Sequence, residues 1–233
     1  MKLSIIICVH NERDTILEIV RRVRSASLPS GWTKEIFIVD NLSTDGTRDI
    51  LQGLEPAQDL RVIYQTVNFG KSHSVRKAIP LCSGDYTIPQ DADLEYNPED
   101  YCRLIGKART ENLDVVIGSR GVENDNYHAY RINEWGIARL TAITNFLFNT
   151  EYTDVATCYK LMRTRKLQKL NLNSNGFNLD FELCAKYAKH GWRIGEIKIQ
   201  YQARTFKEGR KMRPITGGIG AIWTILSEYI TNQ

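Results

Sequence analysis

Two acidic residues one position apart, Asp91 and Asp93, follow the apolar run Tyr86–Gln90, and Glu95 stands two places further on. Alternate residues of an extended segment point to the same side, so the spacing predicts that all three carboxylates face one hard cation. Oxygen donors of this kind suit Mg²⁺ or Mn²⁺, which commonly bridge a few carboxylates and a substrate diphosphate. Ligands of α/β sheets gather at the carboxyl ends of strands, where this cluster falls. The alternative is a polar loop with three solvated acids.

Three more polar tips follow strand-like runs. The first run ends in Val9-His10-Asn11-Glu12, just before a helical pattern. A carboxylate and an amide there can hold a ribose or base edge, or cap the helix. The second ends in Asp40-Asn41-Leu42-Ser43-Thr44-Asp45-Gly46-Thr47. Asp40 is placed to accept from a ribose hydroxyl or base amide, while Asp45 and Gly46 read as turn and cap residues. After the third, Asn68-Phe69-Gly70-Lys71 brings a lysine near the same edge, where it meets a diphosphate or solvent.

The elements that must position these tips alternate. Short, often β-branched runs at 3–9, 35–40, 60–64, 85–90 and 114–118 read as strands. Between them, Ile16, Ile19, Val20 and Val23 repeat at helical spacing, and Pro98 opens a helix running to about Arg109. Such alternation predicts an α/β fold with a mostly parallel, doubly covered sheet. The second half is less regular: helices at 133–148, 180–189 and 219–230, and a half-exposed strand at 193–200. No repeat, linker or low-complexity segment interrupts it, so a single domain is expected.

Composition agrees with that expectation. The 233 residues are 42% hydrophobic and 25% charged, as in ordinary globular domains. A net charge of +4 is too mild to argue for nucleic acid and compatible with an anionic substrate or membrane surface. Cys8, Cys82, Cys102, Cys158 and Cys184 are scattered without a CxxC pair, which favours free thiols in a reducing compartment over zinc. The apolar run at the start is too short for a signal peptide. No stretch approaches the ~20 apolar residues of a membrane span.

The order and spacing of these pieces resemble glycosyltransferase family 2, with its GT-A fold. The resemblance is to the branch with dolichol-phosphate mannosyltransferases and bacterial polyprenyl-phosphate glycosyltransferases. It rests on "SIIICVHNE", "IFIVDNLSTDGT", "NFGKSHSVRKAI", "GDYTIPQDADLEYNPED", "VVIGSR", "DVATCYKLMRTR" and "IQYQARTFKEGRK", the last two being specific to the branch. It implies a nucleotide-sugar half, 1–120, and an acceptor half, 121–233, carrying amphipathic helices. By position, Glu12 and Asp40 contact the nucleoside of a UDP- or GDP-linked sugar, with Asp91 close by. Val9, Asn11, Asn41, Gly70, Lys71 and Ala92 belong to the same substrate surface. Asp93 binds Mg²⁺ or Mn²⁺ on the donor diphosphate, with Asp91 and Glu95 as further ligands. Arg120, Arg131 and Arg204 face the phosphates of donor or acceptor, and Lys211 is an additional candidate.

The family is inverting, which implies one displacement at the anomeric carbon by a polyprenyl phosphate. A phosphate monoester has a second pKa near 6, so it needs no general base. What it needs is cationic cover, for which bidentate guanidinium groups suit better than lysine. The basic stretch Arg204–Lys211 is expected to grip phosphate and to order when donor binds. The helices at 133–148 and 219–230, with Trp223, Leu226 and Tyr229, lie in a headgroup layer or pack on the core or a second copy of the chain. Cytoplasmic location, peripheral to the cytoplasmic face of a membrane, is the implication.

The chain departs from the family pattern in places. Cys8-Val9-His10-Asn11-Glu12 replaces the usual Pro-x-Tyr-Asn-Glu, Asn41 stands where a second acid is common, and Glu95 replaces a frequent Gln. The register of 212–218 also differs. The alternatives are a family 2 enzyme acting on a polysaccharide or protein, and a non-catalytic nucleotide-sugar-binding protein. A hydroxyl acceptor would need a base and no cradle of arginines.

Overall fold

In a computed structural model of the chain, residues 1–54, 58–120, 127–204 and 214–231 are described; for 127–134 and 214–217 this covers the helical backbone alone. Strand β1 (Lys2–Val9) leads to α1 (Ile16–Ser25), β2 (Thr33–Asp40), α2 (Thr47–Gly53), β3 (Leu60–Tyr64) and α3 (Lys71–Ala78). A 3-10 turn, Ile79–Leu81, precedes β4 (Tyr86–Asp91), α4 (Asp100–Thr110), β5 (Val115–Arg120) and α5 (Tyr127–Phe148). The chain continues through β6 (Lys160–Arg163), α6 (Thr164–Leu167), α7 (Leu179–Lys189), β7 (Ile194–Ile199) and α8 (Pro214–Ile230).

The seven strands lie in the order β3-β2-β1-β4-β6-β5-β7. All pairings are parallel except those of β6, which runs antiparallel to β4 and β5. The chain winds outward from β1 to β3 and then restarts on the other side of β1 with β4. That reversal opens a crevice at the carboxyl ends of β1 and β4, the place where such sheets bind ligands. Register makes the tips level: Val9 pairs with Asp40, and Cys8 with Asp91.

Burial on both faces explains the continuous apolar run of β1. Ile5 and Ile7 pack with α1 and α4 on one face, and Ile6 packs with Val75 of α3 and Leu183 of α7 on the other. The stripe Ile16, Ile19, Val20 and Val23 is the buried side of α1. The four-residue β6 escapes sequence reading because it is too short for a periodic signal. The sheet still holds it firmly, between β4 and β5.

Candidate active site

Each strand tip is tied down by its neighbours before it can meet a ligand. At the end of β1, Asn11 takes φ 52°, its backbone N–H donates to Ser43 Oγ (2.9 Å) and its Oδ1 accepts from the Thr44 N–H (2.8 Å). The Glu12 carbonyl accepts from the Ile16 N–H at 2.9 Å, opening α1. Its carboxylate faces the other way and takes two hydrogen bonds from Arg204, at 3.1 and 3.2 Å. Capping and site-building are therefore shared between the backbone and side chain of one residue.

At the end of β2, Asp40 is fully buried. Its Oδ1 accepts from the Ser43 N–H at 3.1 Å and its Oδ2 from Arg48 Nε at 2.7 Å. Ser43 in turn holds Asn11, so in this arrangement Asp40 shapes the crevice rather than presenting a free carboxylate to it. Asn41 is a strut: its Nδ2 donates to Asn68 Oδ1 at 2.6 Å and its Oδ1 accepts from the Phe69 N–H at 3.0 Å. His10 joins it, with Nδ1 donating to the Asn41 carbonyl and Nε2 accepting from the Asn68 amide. Asp45 and Gly46 are the expected turn residues, Gly46 at φ 96° ahead of α2.

Lys71 is neither solvated nor exposed to the crevice as a bare cation. It is the first residue of α3 and pairs with Asp91 Oδ1 at 2.7 Å. Burial alone would lower its pKa, but Asp91 and neighbouring groups raise it well above the usual lysine value. Gly70 makes this possible: at φ 85° a Cβ would lie 2.9 Å from the Gly176 Cα. Only glycine permits that approach.

The expected three-carboxylate cage is not assembled, for a backbone reason. Strand β4 stops at Asp91, the chain turns through Ala92 and Asp93, and Leu94 adopts φ 67°. Strict alternation is lost. Asp91 turns to Lys71, Asp93 Oδ2 lies 3.2 Å from Arg204, and Glu95 accepts from the Tyr201 hydroxyl and, at 2.9 Å, from the Arg204 N–H. Among the described residues, no three His, Cys, Asp or Glu side chains stand ready around a metal.

The donor chemistry nonetheless fits a hard cation. Asp91, Asp93 and Glu95 line one cavity. Burial, then Asp91 and Glu95, push the Asp93 carboxyl up to about 7 against the pull of Arg204. Such crowding marks a place short of positive charge. Mg²⁺ needs only one or two carboxylates when substrate phosphates complete its shell. Asp93 is the residue best placed to supply one.

Arg120, at the end of β5, also lines this cavity. Its guanidinium makes a bidentate pair with Asp154, at 2.7 and 2.8 Å, and stacks over the Tyr201 ring at 5.3 Å. Asp154 and Tyr201 both lie in the two branch-specific motifs, yet sequence reasoning did not single them out. For Asp154, burial raises the carboxyl pKa, but Arg120 outweighs it and holds the group below the ordinary value. Its stabilising share is therefore full above the unfolded Asp value of about 3.9 and is lost as pH falls through the lower folded value. Asp154→Asn should cost about 3–5 kcal/mol by removing the charged half of a buried bidentate ion pair and should flatten that acid limb. Urea denaturation across pH would measure both. Arg131 has only its backbone described, in α5, and the Arg131 side chain and Lys211 lie outside the described residues.

A mostly parallel sheet with one inserted antiparallel strand, and acids clustered at the β1/β4 crevice, defines the GT-A fold. The chain belongs to glycosyl transferase family 2, whose model matches residues 4–170. A dolichol-phosphate mannosyltransferase of Pyrococcus furiosus is 29% identical over 90% of this chain and 59% of its own. Glycosyltransferase AglJ of Haloferax volcanii is 24% identical over 90% of this chain and 66% of its own. The chain thus spans about three fifths to two thirds of the lengths of these relatives. An undecaprenyl-phosphate 4-deoxy-4-formamido-L-arabinose transferase of Enterobacter sp. is 31% identical over 56% of this chain and 40% of its own. Among solved structures, glucosyl-3-phosphoglycerate synthase of Mycobacterium tuberculosis with Mg²⁺ and UDP superposes with TM-score 0.72. It covers 97% of this chain and 79% of its own at 19% identity, a likeness of fold.

Proposed function

We propose that the chain is a metal-dependent, inverting glycosyltransferase that moves a sugar from a nucleotide-diphosphate sugar to a polyprenyl phosphate. One observation carries this reading. A cavity of about 930 Å³ joins the acids and guanidinium groups at the strand tips to an apolar wall from α5 and α8, including Leu140, Ile143 and Ile222. Charged groups and hydrocarbon meeting in one cleft suit a phosphate carried on an isoprenoid. Two of the relatives, a dolichol-phosphate mannosyltransferase and an undecaprenyl-phosphate transferase, point the same way.

In this reading residues 1–120 hold the donor and 121–233 the acceptor. Glu12, Asn41 and the strand-tip loops around them shape the nucleoside end. Asp93, with Asp91 and Glu95 beside it, would hold Mg²⁺ or Mn²⁺, which supplies positive charge for the leaving diphosphate. Arg120 and Arg204 neutralise the acceptor phosphate, so that one anion can approach another. No side chain is assigned as base, because the acceptor is already ionised at neutral pH. A thermal-shift screen tests donor binding: UDP or GDP should raise the melting temperature, and more so with Mn²⁺. No shift with either nucleotide would count against it.

No helix among the described residues is long and apolar enough to cross a membrane. Yet α5 and α8 expose Trp135, Phe146, Ile219, Trp223 and Ile230. We assign this face to the headgroup layer on the cytoplasmic side of a membrane. Burying one large apolar side chain is worth about 1.5–3 kcal/mol. Trp223→Glu with Ile230→Glu should therefore lower vesicle binding by at least about 100-fold, read by co-sedimentation. Unchanged binding would move the anchor elsewhere.

A further inference from the structure

The end of the sheet away from the crevice carries a group of cations that the chemistry above does not use. There β6 finishes at Arg163, beside the amino ends of β4, β5 and β7. Asp114, buried just ahead of β5, is met by three of them: Lys166 Nζ at 2.9 Å, and Arg163 Nε and Arg193 Nη2, each at 3.4 Å. Burial alone would raise this carboxyl, but hydrogen bonds from Lys166 and Arg193 hold it down at about 2, so it is charged at neutral pH. One carboxylate thus answers three cations. Their side chains stay reachable from solvent, Arg163 being 34%, Lys166 41% and Arg193 53% exposed.

The three are also held in place. Arg163 donates to the Leu113 carbonyl at 3.1 Å and to Asn112 Oδ1 at 2.8 Å, with its guanidinium over the Tyr86 ring. Lys166 lies over Trp192, which stacks on Tyr187 with ring centres 5.1 Å apart. Arg165 and Lys169 stand exposed on α6 and just after it. From 155 to 179 the chain has five cations and no acid, so the positive charge is concentrated here. The patch also adjoins the apolar face of α8. Lys189, at the end of α7, donates to the Glu228 carbonyl at 2.8 Å and to its carboxylate at 3.0 Å. From there the chain runs through Trp192 to Arg193, while Ile230, two residues beyond Glu228, is exposed like Trp223.

We infer that Arg163, Lys166 and Arg193, with Arg165 and Lys169 beside them, form a docking surface for the phosphates of anionic lipid headgroups, separate from the catalytic crevice. Charge and position together select this partner. Guanidinium and ammonium groups that are fixed in direction and only partly neutralised suit phosphate oxygens. Exposed apolar side chains next to them suit the acyl boundary below the headgroups. An acidic protein would use the cations but not the hydrocarbon beside them. Each cation near an anionic bilayer adds to attachment and is screened by salt. The inference rests on the headgroup assignment made above for α5 and α8.

Co-sedimentation with vesicles of phosphatidylcholine alone, and of phosphatidylcholine with about one third phosphatidylglycerol, tests it. Wild type should bind the anionic vesicles at least about 10-fold more tightly at about 0.1 M salt, and this preference should fade at about 0.5 M. Lys166→Gln with Arg193→Gln should lose about 10-fold or more of the preference while binding neutral vesicles as before. Melting curves check that this pair, which touches Asp114, still folds. Arg165→Gln with Lys169→Gln leaves Asp114 untouched, should lose part of the preference, and serves if the first pair does not fold. A folded variant that keeps the whole preference overturns the inference. Equal binding of wild type to both kinds of vesicle overturns it too, leaving the cations to an acidic protein and the apolar anchor intact. Release from anionic vesicles by inorganic phosphate at fixed ionic strength would mark a site for free phosphate and overturn the lipid assignment. Wild type binding neither vesicle overturns the headgroup reading of α5 and α8 itself, a distinct result.

Discussion

Asp93→Ala should lower metal-dependent sugar transfer by at least about 10³-fold, some 4 kcal/mol of transition-state stabilisation, without lowering the melting temperature. The two halves of that result have separate causes. Asp93 is the crowded acid of the site, half-buried beside Asp91 and Glu95, with its carboxyl pushed up to about 7. Removing it relieves like-charge repulsion in the empty protein, so the fold is not weakened. On the proposed reading it also takes away an oxygen donor to the cation that would serve the leaving diphosphate. Transfer measured with Mg²⁺ or Mn²⁺ beside a melting curve checks both. Wild-type turnover in Asp93→Ala would remove the metal role.

Arg204→Ala should lower transfer to lipid phosphate by about 10²–10³-fold while affecting donor hydrolysis far less. Arg204 bonds Glu12 at 3.1 and 3.2 Å and lies 3.2 Å from Asp93, so it spans the β1 tip and the acidic loop. Its Nε is buried without a hydrogen-bond partner among the described residues, although Glu95 is 4.0 Å away. On the proposed reading, a guanidinium held this way would neutralise the acids until donor and cation arrive and would then be available to an incoming phosphate. Half-saturation by Mn²⁺ should therefore come at lower concentration in Arg204→Ala, because a competing cation has gone. Arg204→Lys should not restore transfer, since an ammonium lacks the planar fork. Equal losses in transfer and hydrolysis would contradict the acceptor role.

Much of the scaffold was legible because its signals are local. The β-branched runs of β1 to β5, the α1 stripe and the polar tips at Val9–Glu12, Asp40–Thr47 and Asp91–Glu95 carry their own periodicity or turn chemistry. What stayed hidden depends on strand order, which no local pattern encodes. Arg204 meets Glu12 across 192 positions, Lys71 meets Asp91 from the neighbouring helix, and Arg120 meets Asp154 from beyond α5. The misjudged detail was geometric. Alternation put Asp91, Asp93 and Glu95 on one face, but β4 ends at the first of them and Leu94 takes φ 67°. Asp40 shows a related effect: a strand-tip acid in the expected place is consumed by Arg48, the second residue of α2.

Cation-assisted transfer of sugar to a lipid-borne phosphate is open to direct assay: the purified chain is given a panel of radiolabelled UDP- and GDP-sugars with undecaprenyl or dolichyl phosphate in detergent, with Mg²⁺, Mn²⁺ or EDTA. Label should enter the organic phase for at least one donor, and EDTA or omission of the lipid phosphate should abolish it. Label that never enters that phase, or enters it equally well in EDTA, would rule such transfer out.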